Sequence, residues 1–555
     1  MKNCKQCNIE FDVTPEDLDF YDRVSPVIGG KKINIPEPTL CPDCRMQRRM
    51  VWRNERSLYR NTCSQSGESL ISWFSPDKPY KILKKDLWWG DSWDGKDSSK
   101  DFDFSRPFFE QFDELLQSVP WMDLLVDEML NSPYANYCYN NKDCHLIYAS
   151  NNNESCYYSN SIVSCKDCVN CFQIFDSELC YGSVDTTNSY KVNYSKNCDN
   201  CSEIFFCENC RNCKNCFGCV NMVGKEYCFM NQQLDKEQYL EKLKGLNLGS
   251  YSRISEARSF FIKHRLQFPM RYAQVIGCEN VTGDNIKDSK NVVEGYDTKK
   301  AEDCKWVYLS DSIKDVYDGS GCEDVEFSYE VCVHGVPGRN CYFSAYVWKN
   351  VSDVLYSVLC PSCHDCFGCA SLKKEKYCIL NKQYTKEEYE ELVPKIIEHM
   401  KTTGEWGEYF PVSISPFSYN ETVAQDYFPL KKEEVASNGW KWFSQTDKDH
   451  KPSNFNIPDN IDDVNDEILN NVLSCKTCSK NFKLIPQELK FYKNHNIPIP
   501  QKCPDCRLDK LIDMRNPKKL HHRRCDKCSS PIQTTYSTDK PEKVYCEECF
   551  LKEVY

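Results

Sequence analysis

Fifteen cysteines between Cys138 and Cys228 each lie a multiple of three residues from all the others. Spacing that stays in phase over so long a segment indicates one regular backbone geometry, in which small units stack and bury one another's faces. Residues 303–356 repeat a related unit, in which Asn or Asp precedes Cys or Val and an aromatic or apolar residue follows. These units recur at steps of roughly 9–16 residues, which favours a β-solenoid. The spacing alone leaves the cross-section of the coil open.

The middle of the chain is duplicated at an offset of 150 residues. The segment CFGCVNMVGKEYCFMNQQLDKEQYLEKL (Cys216–Leu243) matches CFGCASLKKEKYCILNKQYTKEEYEELV (Cys366–Val393). Each copy predicts a short strand followed by a helix, with Asp235 and Thr385 as the N-cap residues.

The two ends of the chain form a second duplication. CPDCRMQRRMVWRNERSL (Cys41–Leu58) matches CPDCRLDKLIDMRNPKKL (Cys503–Leu520) without a gap, and FDVTPEDLDFY (Phe11–Tyr21) matches FKLIPQELKFY (Phe482–Tyr492). The ends are therefore two versions of one module.

These repeats predict a multidomain, β-rich chain in which terminal treble-clef and zinc-ribbon modules flank a duplicated Cys/Asn-rich β-solenoid with short helices. A helix is expected within SRPFFEQFDELLQSVP, with Ser105 as its cap. The predicted segments are an N-terminal treble clef with a degenerate zinc ribbon (1–95), a helical connector (96–131), the first solenoid copy (132–248), the second copy with helical ends (249–400), a partly ordered linker (401–470), and a C-terminal treble clef with a zinc ribbon (471–555).

A content of 38 cysteines in 555 residues fits either a secreted disulfide framework or an intracellular metal protein. The first residues, MKNCKQCNIEF, lack the apolar core of a leader peptide, and no run approaches 18 apolar residues. We therefore expect a reducing cytoplasm and no membrane span. The formal net charge of −12 excludes a generally basic nucleic-acid binder, although both ends are locally basic.

Paired C-x2-C motifs at the ends predict three Cys4 metal sites. A C-x2-C pair brings two sulfurs to one tetrahedral ion, and two pairs complete the site. In the first two sites the second pair opens a predicted helix, whose N–H groups and dipole stabilise thiolates. The expected ligand sets are Cys4, Cys7, Cys41 and Cys44; Cys475, Cys478, Cys503 and Cys506; and Cys525, Cys528, Cys546 and Cys549.

The N-terminal copy lacks a second site. The positions equivalent to the third ligand set are Cys63, Ser66, Lys84 and Leu87, so one ligand survives. We therefore expect about three Zn²⁺ per chain, and a degenerate ribbon that keeps its hairpin by packing. Closed Cys4 sites leave no coordination position for a substrate, so the zinc is expected to be structural.

The terminal module CKQCNIEFDVTPEDLDFYDRVSP…IPEPTLCPDCRMQRRMVWRNERSLYRNTC resembles the treble-clef and zinc-ribbon domains of a family of large cysteine-rich proteins from ultra-small uncultivated (candidate phyla) bacteria. The ending CDKCSSPIQTTYSTDKPEKVYCEECFLKEVY and the repeated CFGC…KEYC and CFGC…EKYC segments are similar to the same family. The resemblance spans most of the chain. It implies zinc binding and a shared architecture, but the family has no established activity.

The cysteines of the middle segment permit three interpretations. Cys207, Cys210, Cys213, Cys216 and Cys219 recur at every third residue, and the second copy repeats the run at Cys360, Cys363, Cys366 and Cys369. A stacked ladder of buried small side chains, additional zinc sites and an iron–sulfur cluster are all compatible with the spacing. The final C-x3-C-P step of bacterial ferredoxins is missing, and most of these cysteines are expected not to be ligands.

An arginine-rich stretch follows the second knuckle. If it is helical, its arginines form one stripe beside Trp52, suited to contacts with the phosphates of RNA. The competing interpretation is internal pairing with the acidic residues Glu10, Asp12, Glu16, Asp17, Asp19 and Asp22 of the same module. The candidate nucleic-acid-binding residues are Arg45, Arg48, Arg49, Arg53, Arg56 and Arg60.

The favoured function is a zinc-binding, non-enzymatic scaffold with a protein partner. The alternative is an RNA- or ribosome-associated zinc protein using Arg45–Arg60. No P-loop, dinucleotide fingerprint, H-E-x-x-H or G-x-S-x-G motif is present, so we predict neither an enzyme nor a small-molecule substrate.

Overall fold

The structure, a computed structural model, describes residues 1–444, 453 and 455–554. It is β-rich, with two solenoid arms flanked by the terminal cysteine clusters, as the sequence predicts. The α-helices of this part of the chain are α1 (Pro15–Arg23), α2 (Pro42–Met50), α3 (Lys85–Trp89), α4 (Phe108–Ser118), α5 (Lys236–Gly245), α6 (Tyr251–Arg265), α7 (Lys386–Thr403), α8 (Ala424–Tyr427), α9 (Lys432–Ser437), α10 (Pro486–His495), α11 (Pro504–Ile512) and α12 (Glu547–Val554).

The solenoid coil is a four-sided turn of twelve residues. Parallel partners lie twelve positions apart in sequence, as in Ala135 with Ile147 and Ser202 with Lys214. A left-handed backbone conformation recurs at every third residue, for example at Asn140, Asp143 and Leu146. Each left-handed residue turns the chain through a corner, so three-residue sides alternate with corners. This geometry explains why the cysteines keep a spacing of three.

One residue in three points into the lumen of the coil. Cys165, Cys168, Cys171 and Ile174 are buried there, and the positions between them face outward or pack beneath other elements. A lumen bounded by such short sides is narrow, so small side chains such as Cys, Ser, Val and Ile fill it. The cysteines of the arm are thus stacked, buried small side chains in the lumen.

The first arm runs through parallel coils and ends in an antiparallel hairpin, where Cys228 pairs with Gln233. Coil pairing begins at Val126 with Cys138, earlier than the predicted start at residue 132. Its strands are Val126–Leu130, Ala135–Asn136, Cys138–Lys142, His145–Tyr148, Tyr157–Asn160, Phe172–Phe175, Val184–Thr187, Tyr190–Asn193, Lys196–Asp199, Ser202–Phe205, Lys214–Phe217, Glu226–Phe229 and Gln232–Gln233. Pro120–Met122, just before the arm, pairs with Lys81–Leu83 of the N-terminal module.

The second arm repeats this plan with two coils of altered length. Glu279 pairs with Lys290 eleven positions on, and Gly338 pairs with Val351 thirteen positions on. These changes shift the inward phase, so the cysteines of this copy are not all in step. Its strands are Val275–Ile276, Glu279–Lys287, Lys290–Lys305, Tyr308–Trp348, Val351–Leu355, His364–Phe367, Lys376–Ile379 and Lys382–Gln383. Met270–Arg271, just before the arm, pairs with Val544–Tyr545 of the C-terminal module.

Helices follow each arm where the sequence predicts them. Asp235 caps α5 and Thr385 caps α7, each accepting a hydrogen bond from the N–H three residues on. The cap predicted for α4 is wrong. The N-cap position is Pro107, and the free N–H groups of Phe108 and Phe109 donate to the carboxylate of Glu405.

The terminal modules are built from two-residue and four-residue hairpins and short helices. In the N-terminal module the strands are Lys2–Asn3, Glu10–Phe11, Val27–Ile28, Lys31–Lys32, Tyr59–Thr62, Ser69–Ser72 and Lys81–Leu83. In the C-terminal module they are Leu473–Ser474, Asn481–Phe482, His521–Arg524, Pro531–Thr534 and Val544–Tyr545.

Each terminal module docks on the arm that is distant from it in sequence. Phe20 of the N-terminal module stacks on Tyr317 of the second arm, with ring centroids 3.5 Å apart. In the C-terminal module, Tyr492 packs edge-on against Tyr181 of the first arm at 5.7 Å. The two ends therefore cross over the solenoid.

Residues 401–470, predicted as a partly ordered linker, contain a described part that packs against the N-terminal module. The hydroxyl of Tyr419 accepts a hydrogen bond from the Gln47 amide, and the N–H of Val423 donates to the carbonyl of Arg53. Residues 445–452 and 454 of this segment lie outside the described residues. Across the described chain, no helix has the length and apolar character needed to cross a membrane.

Candidate metal centres

Each predicted Cys4 site is assembled by the fold. In the described chain, three groups place three or more ligand atoms all within 4.8 Å of one another, and they are the three predicted sets: Cys4, Cys7, Cys41 and Cys44; Cys475, Cys478, Cys503 and Cys506; and Cys525, Cys528, Cys546 and Cys549.

The first pair of each site lies on a tight turn with a left-handed residue four positions after the first cysteine. These turn residues are Asn8, Ser479 and Ser529, with φ of 59°, 62° and 61°. In the first site the N–H of Asn8 donates to the carbonyl of Cys4 at 2.9 Å, and the other two turns repeat this bond. The turn aims both sulfurs of the pair at one point.

The second pair of each site lies at the N-terminus of a helix. Cys41 is the N-cap of α2, Cys503 is the N-cap of α11, and Cys546 immediately precedes α12. The free N–H groups and the positive end of the helix dipole face these sulfurs, an arrangement that stabilises negative charge.

The sulfur spacing matches tetrahedral zinc. The distances are 3.6 Å between Cys7 Sγ and Cys41 Sγ, 3.7 Å between Cys478 Sγ and Cys503 Sγ, and 3.7 Å between the sulfurs of Cys528 and Cys546. Four sulfurs about 2.3 Å from a tetrahedral ion lie roughly 3.8 Å apart. The residues present therefore fit a four-coordinate thiophilic ion.

At least one thiol in each site is acidic. A hydrogen bond with Cys44 lowers the pKa of Cys41 to about 5, and one with the Ser530 hydroxyl lowers the pKa of Cys528 to about 6. Burial raises the pKa of Cys475, but backbone N–H groups of Cys478 and Cys503 outweigh it and bring the pKa to about 6. Each site therefore offers at least one thiolate at neutral pH.

The degenerate fourth site keeps its backbone but only one of its four ligands, Cys63. Tyr59–Thr62 pairs with Ser69–Ser72, the counterpart of the C-terminal hairpin. Cys63 donates its N–H to the carbonyl of Glu68, as Cys525 does to Ser530, and Gly67 supplies the left-handed turn with φ of 73°. Lys84 forms an ion pair with Glu68 where a ligand would otherwise stand.

The structure brings the candidate arginines together but buries most of them. Arg45, Arg48, Arg49 and Arg53 are at most 7% exposed, so the exposed stripe required for phosphate contact is absent at these four positions. Arg56 is half-buried between Asp426 and Asp509, and Arg60 alone of the six is exposed.

The partners of the buried arginines lie on the solenoid and on the segment after α7. Arg49 Nη1 lies 2.9 Å from Asp318 and 2.8 Å from Glu330, and both carboxylates are fully buried. Arg48 pairs with Glu330 and Glu408. The expected pairing with the module's own acidic run is wrong for these arginines, because the helix packs that face against the second arm.

The acidic residues of the N-terminal module pair with other cations. Asp17 pairs with Lys305 of the second arm, while Asp12, Asp19 and Asp22 pair with the N-terminus, Arg23 and Lys32. Carboxylates on the solenoid were the residues that sequence reasoning missed. Asp318 and Glu330 stand at positions where an outward solenoid residue is usually polar, so they carried no distinguishing signal.

Comparisons with known proteins add little. No protein-family model and no curated protein matches this chain. Among solved structures, a crystal structure from Desulfovibrio desulfuricans G20, provisionally described as an acetyltransferase, is 10% identical and covers 41% of this chain and 65% of its own. The match thus spans less than two thirds of that protein, and its TM-score of 0.10 carries no argument about fold or function.

Proposed function

We propose that this protein is a zinc-binding, non-enzymatic scaffold in which Zn²⁺ sites of treble-clef and zinc-ribbon type hold the ends of the chain on a solenoid that presents a surface to a protein partner. The observation that carries the proposal is that one helix, α2, bears both metal ligands and the side chains that dock the module on the second arm. Cys41 and Cys44 lie in the first turn of α2, and Arg45 and Arg49 of the same helix reach the second arm.

The C-terminal module supports the same reading. Cys503 and Cys506 lie at the start of α11, and Arg507 stands over the Tyr158 ring of the first arm at 4.5 Å. Arg507 also bonds Glu488, which accepts a hydrogen bond from the Tyr158 hydroxyl. An ion that fixes the start of each helix thereby fixes the side chains that dock it.

A structural role for the ion follows from its ligands. Four cysteines complete a tetrahedron and leave no open position for a substrate. The remaining cysteines are free thiols, buried except at Cys278, and most of them line the narrow lumen. Free buried thiols also support a working place in a reducing cytoplasm.

The test is the zinc content of protein purified under reducing conditions. We expect about three zinc ions per chain, because three complete ligand sets are present. Cys44→Ser should lower the content to about two, whereas Cys63→Ser should leave it unchanged, since Cys63 belongs to the degenerate site.

Oxidised cysteines without zinc would overturn the proposal. Equal loss of zinc in both variants would overturn the assignment of ligands. A chelator should also raise the protease sensitivity of the terminal modules before that of the arms, since metal binding is coupled to folding in small zinc modules.

A further inference from the structure

The last coils of the first arm concentrate thiols on every side of the lumen. Cys210, Cys213, Cys216 and Cys219 occupy all four inward positions of one coil, and each is buried. The coils before and after it supply a thiol one step away on each side. The resulting stacked pairs are Cys198 with Cys210, Cys201 with Cys213, Cys207 with Cys219, and Cys216 with Cys228.

The distance between the stacked thiols distinguishes a disulfide, a tetrahedral zinc site and a two-coordinate metal site. Adjacent parallel strands lie about 4.8 Å apart, so in-register Cβ atoms lie farther apart than the roughly 3.5–4.5 Å of a disulfide. Tetrahedral zinc is also disfavoured, because no group in the described lumen brings three or more ligand atoms within 4.8 Å of one another. Two collinear metal–sulfur bonds of about 2.3 Å span roughly 4.6 Å, which matches the step between coils.

Thiols at this level influence one another. Interactions with the thiols of Cys201, Cys210 and Cys216 lower the pKa of the Cys213 thiol. Thiolates are soft ligands, which favour Cu(I), zinc and iron–sulfur clusters, and the number and geometry of the sulfurs distinguish among these. A d¹⁰ monovalent ion accepts two sulfurs in a line, which zinc does not.

The second arm provides an internal comparison. Its closing coil is also all cysteine, at Cys360, Cys363, Cys366 and Cys369, but its one stacked pair is Cys366 with Cys378. Where the first arm has Cys201, Cys207, Met222 and Lys225, the aligned positions of the second arm are Val351, Ser357, Leu372 and Glu375.

All four differences favour a soft cation in the first arm. Two thiols and a thioether replace side chains without a soft donor. Lys225, at the exposed end of the lumen, replaces Glu375, which pairs with Lys96. A cation at the mouth offsets the negative charge that two thiolates retain around one monovalent ion.

We infer that the closing coils of the first arm, Cys198–Cys228, bind a soft monovalent cation of the Cu(I) class through stacked thiolate pairs. Binding one ion removes the protons of two thiols and leaves the pair with a net charge of −1. No electron is transferred, because the ion enters already reduced. Entry requires displacement of Gln233, whose Oε1 accepts a hydrogen bond from Cys228 Sγ at 3.4 Å.

The test is anaerobic titration of the zinc-loaded full chain with Cu(I) in the presence of a chromogenic Cu(I) chelator. Retained copper and released zinc are both measured, and X-ray absorption counts the sulfur neighbours. We expect copper to bind without zinc release and with two sulfur neighbours per ion.

The variant Cys201→Val/Cys207→Ser copies residues that the second arm carries at the same places, so the lumen remains packed. It removes two of the four stacked pairs, and the retained copper should fall by about two ions per chain. Cys360→Ser is the matched control, because Cys360 lies in an all-cysteine coil without a stacked partner, and copper retention should not change.

Unchanged copper retention in the double variant would overturn the inference. So would copper uptake matched by release of zinc, since the ion would then occupy the terminal sites. Failure of the lumen to bind copper leaves the zinc content unaffected, so the scaffold proposal is tested separately.

Discussion

At the scale of the residue, the buried arginines of α2 show how charges inside a protein are compensated. Removing a guanidinium and a carboxylate from water costs several kcal/mol per ion, and the loss is recovered only when hydrogen-bond geometry is good. Arg45, Arg48 and Arg49 share the carboxylates of Asp318 and Glu330, so each buried charge has more than one partner. Arg45 also lies 4.6 Å above the Trp306 ring.

Replacing one of these arginines should therefore be costly. Arg49→Met removes one positively charged partner from the buried carboxylates of Asp318 and Glu330. We therefore expect the free energy of unfolding to fall by about 3 kcal/mol. The measurement is the urea midpoint of the reduced, zinc-loaded protein.

Arg60→Met is the matched control from the same arginine-rich stretch. Because Arg60 is exposed, its loss should change stability by less than about 0.5 kcal/mol. Equal effects of the two substitutions would contradict the buried network.

At the scale of the element, the solenoid coil trades backbone strain for stacking. A left-handed conformation costs a non-glycine residue roughly 1–2 kcal/mol, and the coil needs one at every corner. Asn and Asp bear this conformation best, and their side chains form ladders between coils, as from Asn140 Nδ2 to Asn152 Oδ1 at 2.8 Å and from Asn291 to Asp303. Backbone hydrogen bonds to both neighbouring coils offset the remaining strain.

The same coil controls thiol chemistry. Inside the lumen many thiols donate to carbonyls, as Cys165 does to Val163 at 3.3 Å and to Ile174 at 3.5 Å. Burial raises the pKa of Cys138 to about 12 and that of Cys322 to about 12. Because the thiolate is the reactive form, lumen thiols with a raised pKa should be inert near neutral pH. Interaction with Cys219 lowers the pKa of Cys228 to about 7, but this thiol is fully buried and shielded from a reagent in solution.

A water-soluble disulfide reagent at pH 8 should therefore label the zinc-loaded protein slowly, except at Cys278. This residue is half-buried, whereas the other cysteines outside the three metal sites are buried. A thiol with a pKa near 12 is thiolate in only about one molecule in 10⁴ at pH 8.

Cys278→Ser should remove the rapid phase of labelling, and Cys322→Ser should leave it intact. Denaturation should expose all 38 cysteines once the zinc is removed. Rapid reaction of several lumen thiols in the native protein would show that the coils open more easily than their packing indicates.

At the scale of the whole molecule, the two terminal modules connect parts of the chain that are far apart in sequence. The N-terminal module packs on the second arm and the C-terminal module on the first, with equivalent arginines over Trp306 and Tyr158. Arg515 joins both arms, since it reaches Asp185 of the first and Asp297 of the second. Coils of a solenoid contact only their neighbours, so the crossing ends supply the long-range contacts.

The crossing predicts opposite effects from equivalent substitutions. Arg45→Met should increase amide hydrogen exchange about tenfold or more in residues 306–330 of the second arm and leave residues 157–181 unchanged, because local opening follows lost contacts. Arg507→Met should do the reverse.

Each variant is the control for the other, and exchange is read by mass spectrometry of peptides. Faster exchange of each arm with the module nearest to it in sequence would contradict the crossing.

Local information in the sequence determined much of this protein. A C-x2-C ligand pair occupies only four residues, so these pairs predicted the three Cys4 groups that the fold assembles. The triplet spacing of Cys138–Cys228 indicated a solenoid because every coil repeats the same backbone states. The caps at Asp235 and Thr385 were equally readable from neighbours in the chain.

Only the tertiary structure decided which surfaces meet. The spacing of three between cysteines did not predict the length of a coil. That length, twelve residues, depends on how many corners are needed to close the turn in space. The sequence could not show whether the six arginines of one stretch face water or the distant carboxylates of Asp318 and Glu330. The structure buries four of them. Cysteines are gathered in groups of four at the ends and stacked singly between coils in the arms. The distance between sulfurs, which the tertiary structure sets, decides what they can bind.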